Sequence, residues 1–260
     1  RHFPFDSPPR VIPRLLGLPE EDLPTFRRRA VELISYAFDY MKAFEASAAL
    51  KEYFLEQIDK RRSAPTEDVI GDLVTAEIDG EKLSDEAIYS FLRLLLPAGL
   101  ETTYRSSGNL LYLLLTHPEQ LAALQRDRDL VGPAIEEGLR VETPLTTAQR
   151  AATAATELDG VAIPEGAIID VCIGSANRDE QRWDDPERFD IFRKRVPHIS
   201  LAAGEHTCMG LHLARMETRV ALECLLDRVT DLELRDEGDP HIHGQPFRSP
   251  NVLPVSFRAA

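Results

Sequence analysis

Helical periodicity in the first half of the chain is the feature that most limits its fold. Apolar residues recur at helical spacing in segments near residues 21–36, 44–61, 66–77, 84–116, 118–125 and 131–142. The longest segment begins with Ser84, a capping residue, and with the acids Asp85 and Glu86, which complement the helix dipole. It ends at His117-Pro118. The pattern predicts a mainly α protein.

The second half of the chain changes to a strand-like pattern. Short apolar segments between residues 148 and 173 are separated by the turn signals Asp159-Gly160 and Pro164-Glu165-Gly166. Residues 177–204 show neither period and predict an ordered, winding loop, and 232–234 and 253–257 are candidate strands. We therefore expect one domain over residues 1–260, helical from 20 to 145, with small β-sheets and a ligand loop in 146–260.

Charge and composition exclude several classes of function. A formal net charge of -14 repels nucleic acid and anionic membrane surfaces. The most apolar stretch, residues 91–115, predicts no membrane span because proline and charged residues interrupt it. No basic and apolar leader opens the chain, and the three cysteines have no regular spacing, which fits a reducing compartment. We expect a cytoplasmic protein.

Cys208 stands in the segment Gly204-Glu205-His206-Thr207-Cys208-Met209-Gly210, directly before an amphipathic run from 211 to 229. A helix N-terminus favours a thiolate, and glycines let a flat ligand approach the backbone, so this thiol could bind iron. Considered alone, however, an intracellular cysteine is more often a small buried hydrophobe. Cys172 and Cys224 lack such surroundings, and we interpret both as structural.

A second chemical signal is Pro97-Ala98-Gly99-Leu100-Glu101-Thr102-Thr103, inside the longest apolar run. Proline removes a helical hydrogen bond and glycine weakens the same turn, so the segment is expected to break its helix and free carbonyl groups. Glu101 and Thr102 place an acid and an alcohol at that opening. In the alternative interpretation, Thr102 bonds a backbone carbonyl and Glu101 pairs with Arg105 at i+4.

Two further signals are weak when taken alone. Glu137 and Arg140 share a helix face, but such pairs are usually solvent-exposed salt bridges. Arg193-Lys194-Arg195 forms a local basic patch on an acidic chain, although a solvated surface run is as good an interpretation.

In their order along the chain, the segments around Glu101, Glu137 and Cys208 resemble the cytochrome P-450 family of haem-thiolate monooxygenases. The resemblance implies that Cys208, in the loop 198–210, is the axial ligand of haem b (iron protoporphyrin IX), with dioxygen as co-substrate. It implies that Glu101 and Thr102 are the catalytic acid and alcohol that deliver protons. A structural network is implied for Glu137, Arg140 and Arg188, and haem contacts are implied for Arg150, His206, Gly204, Gly210 and Ala98.

The same resemblance implies insertion of one oxygen atom into a hydrophobic organic substrate. Its substrate contacts are expected at Leu95, Ala98, Leu145, Thr146, Thr147, Phe247, Arg248 and Ser249. No flavin or iron–sulfur motif is visible, so the electrons are expected from a separate ferredoxin and ferredoxin reductase type of donor. We place its docking site at Arg193, Lys194 and Arg195, on the thiolate side.

The chain also departs from the family pattern. Leu201 stands where the family usually has phenylalanine, and Ala202 where it usually has glycine. Residues 1–19 resemble the segment just before the substrate-roof helices, so we expect a cytochrome P-450 fold lacking roughly its N-terminal third. The alternatives that stay open are a non-catalytic haem-binding or haem-sensing module, a truncated inactive relative, and a purely helical interaction domain that has lost haem. Retention of Glu101 and Thr102 beside the Cys208 loop favours the monooxygenase.

Overall fold

The computed structural model describes residues 8–194 and 196–260. It divides into two compact units, Arg1–Tyr104 and Arg105–Ala260, which are described separately below. Arg195, the last residue of the predicted basic patch, lies outside the described residues. Across the described part of the chain, no helix combines the length and the apolar character that crossing a bilayer requires.

All six helices expected from the periodicity are confirmed to within a few residues at their ends. In chain order, the helices of the described residues are α1 Pro8–Leu15, α2 Leu23–Ile34, α3 Tyr40–Ser63, α4 Val69–Thr75, α5 Asp85–Thr116, α6 Pro118–Arg126, α7 Val131–Val141, α8 Ile173–Ala176 and α9 Leu211–Arg228. Helix α1 was not expected from the sequence, because prolines occupy three of its eight positions.

The strands form small antiparallel pairs. They are β1 Glu77–Ile78, β2 Glu81–Lys82, β3 Thr147–Ala151, β4 Thr156–Leu158, β5 Val161–Ile163, β6 Ile168–Cys172, β7 Val229–Leu234 and β8 Val255–Ala259, paired β1 with β2, β3 with β6, β4 with β5, and β7 with β8. Asp159 and Gly160 turn the β4–β5 hairpin with φ of 49° and 78°, as a tight hairpin turn requires. The expected small sheets are therefore confirmed.

Helix α5 is continuous, so the prediction that Pro97 and Gly99 break it is wrong. Buried side chains recur every four residues along one face, on both sides of the proline: Ile88, Leu92, Leu96 and Leu100, each at most 2% exposed. Burying such a face stabilises the helix by more than the single hydrogen bond that proline removes. Gly99 instead permits close approach of α1, because a Cβ at this position would lie 2.5 Å from the side chain of Ile12.

The unit Arg105–Ala260 has one extended apolar core. Helices α6, α7 and α9, the C-terminal part of α5 and strand β7 all contribute to it, through side chains that include Leu114, Leu124, Ile135, Leu139, Leu222 and Leu226. Helix α7 packs directly against α9. This contact brings the helix that carries Glu137 and Arg140 beside the helix that follows Cys208.

Candidate functional site

The Cys208 loop is held by backbone bonds on both sides of the cysteine. The Cys208 N–H donates to the carbonyl of Leu201 at 2.9 Å, and the Cys208 carbonyl accepts from the N–H of Leu211, the first residue of α9, at 3.2 Å. The sulfur is therefore fixed at the N-terminus of an 18-residue helix, where the helix dipole stabilises negative charge. A metal ion bound here would be coordinated by this sulfur as the thiolate.

Buried Asn177 ties the start of this loop to the rest of the unit. Its side-chain amide donates to the hydroxyl of Ser200 at 2.7 Å, and its side-chain oxygen accepts from the N–H of Ile199 at 2.9 Å. The Ser200 hydroxyl in turn donates to the Leu139 carbonyl at 2.7 Å. The loop is thus anchored on α7 before it reaches the cysteine.

The surroundings of the sulfur fit a flat iron-containing group. Among the residues that the structure describes, a Cβ built on Gly204, which has φ of +66°, would meet no atom within 4 Å, and one built on Gly210 would meet only the Cys208 sulfur at 3.9 Å. His206 and Arg150 are exposed, and both present donor groups that suit carboxylates such as haem propionates. A thiolate in an open loop, with such donors in the same unit, is a suitable ligand set for haem.

The two departures from the family pattern have different structural consequences. Leu201 is partly buried and packs against the apolar core, so it anchors the loop. Ala202 adopts the left-handed conformation, with φ of +57°, that glycine adopts without strain. This conformation costs an L residue about 1–2 kcal/mol, so the loop carries local backbone strain six residues before the cysteine.

Glu137 and Arg140 form a buried pair, and not the solvent-exposed salt bridge that this spacing usually gives. The two side chains are 6% and 1% exposed. The Arg140 guanidinium donates two bonds to the Glu137 carboxylate, of 2.9 and 2.8 Å, and further bonds to the carbonyls of Asn177, Pro186 and Arg188. One arginine therefore holds α7 to the winding loop.

The third charged member of this network is Arg193, and the prediction of Arg188 is wrong. The Arg193 Nε donates to Glu137 Oε1 at 3.1 Å, whereas the Arg188 guanidinium is 62% exposed and lies 3.7 Å from Asp190. Arg188 contributes only its backbone carbonyl. Arg193 ends a turn, in which its N–H donates to the Asp190 carbonyl at 3.0 Å, shortly after buried Phe189 and Ile191.

This network also removes Arg193 from the proposed docking patch. Its side chain is only 15% exposed, and it donates to the carbonyls of Asp184, Asp185 and Arg188 as well as to Glu137. Such a guanidinium is not available to a partner. Lys194 is exposed and stays a candidate.

A second acidic centre, which the sequence did not reveal, lies beside the first. The Glu136 carboxylate accepts two bonds from Arg215 of α9, at 2.7 and 2.8 Å, and its Oε2 lies 3.4 Å from Nε2 of His198. Burial raises the pKa of Glu136, but the bonds from His198 and Arg215 outweigh it and lower the pKa to about 2. Glu136 is therefore ionised at any physiological pH.

In the first unit, the Thr102 hydroxyl donates to the Ala98 carbonyl at 2.7 Å, as in the alternative interpretation of this residue. Leu95, Ala98 and Thr102 share one face of α5, because they are spaced i, i+3 and i+7. Glu101 is buried, with 4% exposure. The four residues therefore lie on two turns of one continuous helix.

The structure brings the two expected substrate segments of the second unit together. Leu145 and Phe247 form a β-bridge, and the N–H and hydroxyl of Thr146 both donate to the Pro246 carbonyl, at 2.8 and 3.0 Å. The side chains of Arg248 and Ser249 are engaged internally, with Glu142 and Arg105. Thr147 opens strand β3.

A family model and individual relatives both match most of the chain, and all of them are cytochrome P450 proteins. Residues 30–246 match the family model described as Cytochrome P450. Cytochrome P450 107B1 of Saccharopolyspora erythraea is 40% identical over 238 residues, 91% of this chain and 58% of that protein. Cytochrome P450 monooxygenase PikC of Streptomyces venezuelae is 40% identical over 96% of this chain and 61% of its own length.

Solved structures agree with these sequence matches. CYP109Q5 from Chondromyces apiculatus superimposes with a TM-score of 0.88 at 37% identity, over 98% of this chain and 65% of that one. The chain therefore spans about three fifths of the length of the curated relatives named above. It belongs to the cytochrome P450 family, whose cofactor is haem b and whose co-substrate is dioxygen.

Proposed function

We propose that this chain carries the haem-ligand part of a monooxygenase that inserts one atom of dioxygen into a hydrophobic organic substrate. The observation that carries the proposal is the Cys208 thiol, fixed at the N-terminus of α9 in an open loop whose glycines leave room for a flat group. Family membership supports the same chemistry. The three free cysteines also support the cytoplasm as the compartment.

When haem is bound, its iron supplies the redox chemistry that activates dioxygen. This chain's part would be to hold the haem iron through the Cys208 sulfur, whose position is set by the backbone bonds to Leu201 and Leu211. His206 and Arg150 are proposed to bind the propionate carboxylates by charge-assisted hydrogen bonds. Glu137, Arg140 and Arg193 act indirectly, since they hold α7 and the winding loop together.

Thr102 and Glu101 are proposed to handle protons. The Thr102 hydroxyl holds its proton in a bond to the Ala98 carbonyl, and its lone pairs stay able to accept a hydrogen bond from water. Rotation of the hydroxyl would free its proton for transfer to an acceptor at the reacting centre. A water that donates to the hydroxyl oxygen would then supply a new proton. Glu101, buried one residue earlier, is the second proton-carrying group of this segment.

The apolar residues of the expected substrate segments and the exposed Lys194 support proposals for the substrate class and the electron donor. Leu95, Ala98, Leu145 and Phe247 offer mainly apolar surface, which supports a hydrophobic substrate. We propose a ferredoxin-type donor that docks at exposed Lys194, with Arg193 withdrawn into the Glu137 network. Charge reversal by Lys194→Glu tests this site through the salt dependence of donor binding.

The proposal is tested by the absorption spectrum of the reduced, carbon-monoxide-bound chain. We expect a strongly red-shifted Soret band that disappears in Cys208→Ser and persists in Cys224→Ser, a control cysteine within α9 itself. Loss of the band in both variants, or haem uptake without the band in the wild-type chain, would refute ligation by Cys208.

A further inference from the structure

Glu136 joins three segments that surround the ligand loop. It lies on α7, its Oε2 is 3.4 Å from Nε2 of His198 ten residues before Cys208, and it accepts two bonds from Arg215 seven residues after Cys208. The His198 Nδ1 accepts from the N–H of Ser200 at 3.2 Å, so the proton of a neutral imidazole sits on Nε2, facing Glu136. One carboxylate thus contacts the start of the loop and the helix that follows it.

Arg215 is placed to interact with the sulfur. Helical side chains point toward the helix N-terminus, and residue 215 lies on the second turn of a helix that begins at Leu211. The pKa of Arg215 is raised, first by its hydrogen bond to Glu136 and, against the effect of burial, also by the charges of Glu136 and of Cys208. Residue 215 lies about 6 Å of helix rise beyond Leu211, and an arginine side chain that points toward the helix N-terminus is long enough to return over that distance toward the loop that holds Cys208.

We propose that Arg215 is an electrostatic tuning residue for the metal bound by Cys208, and that Glu136 is the positioning residue that holds its guanidinium in place. This inference rests on the proposed function. The two-pronged bond to Glu136, with both distances below 2.9 Å, keeps the cation in one orientation although its side chain is 35% exposed.

A fixed cation beside the thiolate stabilises the more negative, reduced state of the bound iron. Arg215 therefore raises the reduction potential, and its removal lowers it. We estimate the effect of removing Arg215 with a typical effective dielectric constant and with Glu136 offsetting part of its charge. The ferrous-to-ferric ratio at a fixed potential should then fall by a factor of about three to ten. A tenfold change corresponds to about 59 mV for a one-electron couple.

The experiment is a spectroelectrochemical titration of the haem-loaded chain. Arg215→Gln should lower the potential, whereas Arg219→Gln should leave it unchanged. Arg219 is a matched control, one turn further along α9, paired with Glu223 at 3.1 Å and 44% exposed. Arg215→Lys keeps the charge without the two-pronged bond, so it should lower the potential by less, and it replaces the glutamine variant if that does not fold.

Glu136→Gln tests the positioning role. If Glu136 acts through Arg215, the substitution should lower the potential in the wild-type chain and should not lower it in the Arg215→Gln variant. An equal rise in both backgrounds would show a simple charge effect and overturn the positioning role. Equal potentials for Arg215→Gln and Arg219→Gln would overturn the tuning role.

The carbon monoxide spectrum separates this inference from the proposed function. A wild-type chain without the thiolate-dependent band refutes the proposed function and the inference together. Intact bands in the wild-type and variant chains with unchanged potentials refute only the inference.

Discussion

Glu217 on α9 predicts an unusual dependence of stability on pH. Its side chain is buried, with 9% of the residue exposed, and its Oε2 has no hydrogen-bond partner among the described residues. Burial raises the pKa of this carboxyl group from 4.5 to about 7. The native state therefore disfavours the carboxylate, and Glu217→Gln should remove that cost while keeping the shape of the side chain.

The sign and size of the effect follow from proton linkage. Below pH 4.5 the Glu217 carboxyl is protonated in the folded and unfolded states, so its burial does not lower the free energy of unfolding. Between pH 4.5 and 7 only the unfolded state ionises, so the free energy of unfolding falls as pH rises. Above pH 7 the loss stays constant. At about 1.4 kcal/mol per pKa unit, the full cost is roughly 3 kcal/mol. Glu217→Gln should thus raise the free energy of unfolding by about 2–3 kcal/mol at pH 8 and by little at pH 4.5.

Urea unfolding followed by circular dichroism measures this difference. Glu223→Gln is a suitable control, because Glu223 lies on the same helix and its side chain is 37% exposed, paired with Arg219. It should change stability by less than about 0.5 kcal/mol at either pH. A Glu217→Gln variant that is equally stabilised at both pH values, or destabilised at pH 8, would show that burial does not raise the pKa of Glu217 to about 7.

Three further predictions concern the loop, the network and the proton relay. Ala202→Gly should raise the free energy of unfolding by about 1 kcal/mol in thermal unfolding, because φ is +57°, whereas Ala203→Gly, at φ of -154°, should lower it. Arg193→Ala should lower the free energy of unfolding by about 3 kcal/mol or more, because it removes one partner of the buried Glu137 carboxylate. Arg188→Ala is the control and should lower it by less than about 0.5 kcal/mol, because the Arg188 side chain is exposed. In coupled turnover of the holoenzyme, Thr102→Ala should reduce the product formed per electron, and an unchanged yield would contradict the relay.

Local signals in the sequence were sufficient for helices α2 to α7, but not for the proline-rich α1. A helix is set by residues three and four positions apart, so α5 could be predicted from its apolar repeat and its start at Ser84. The Cys208 segment is equally local, since its glycines and the following helix are neighbours in sequence. Local signals could not show that α5 continues through Pro97, because the burial that keeps the helix continuous depends on tertiary packing.

The charged networks show why the remaining part of the site could not be predicted. Glu136 and Glu137 are adjacent, yet successive helical residues point about 100° apart. Glu137 therefore meets Arg140 and Arg193, while Glu136 meets Arg215, 79 residues away. The choice between Arg188 and Arg193 likewise depends on which guanidinium the winding loop turns inward. The Glu136–Arg215 pair exists only once α7 and α9 have packed, so the same contact that forms the core also determines which cation Glu136 holds.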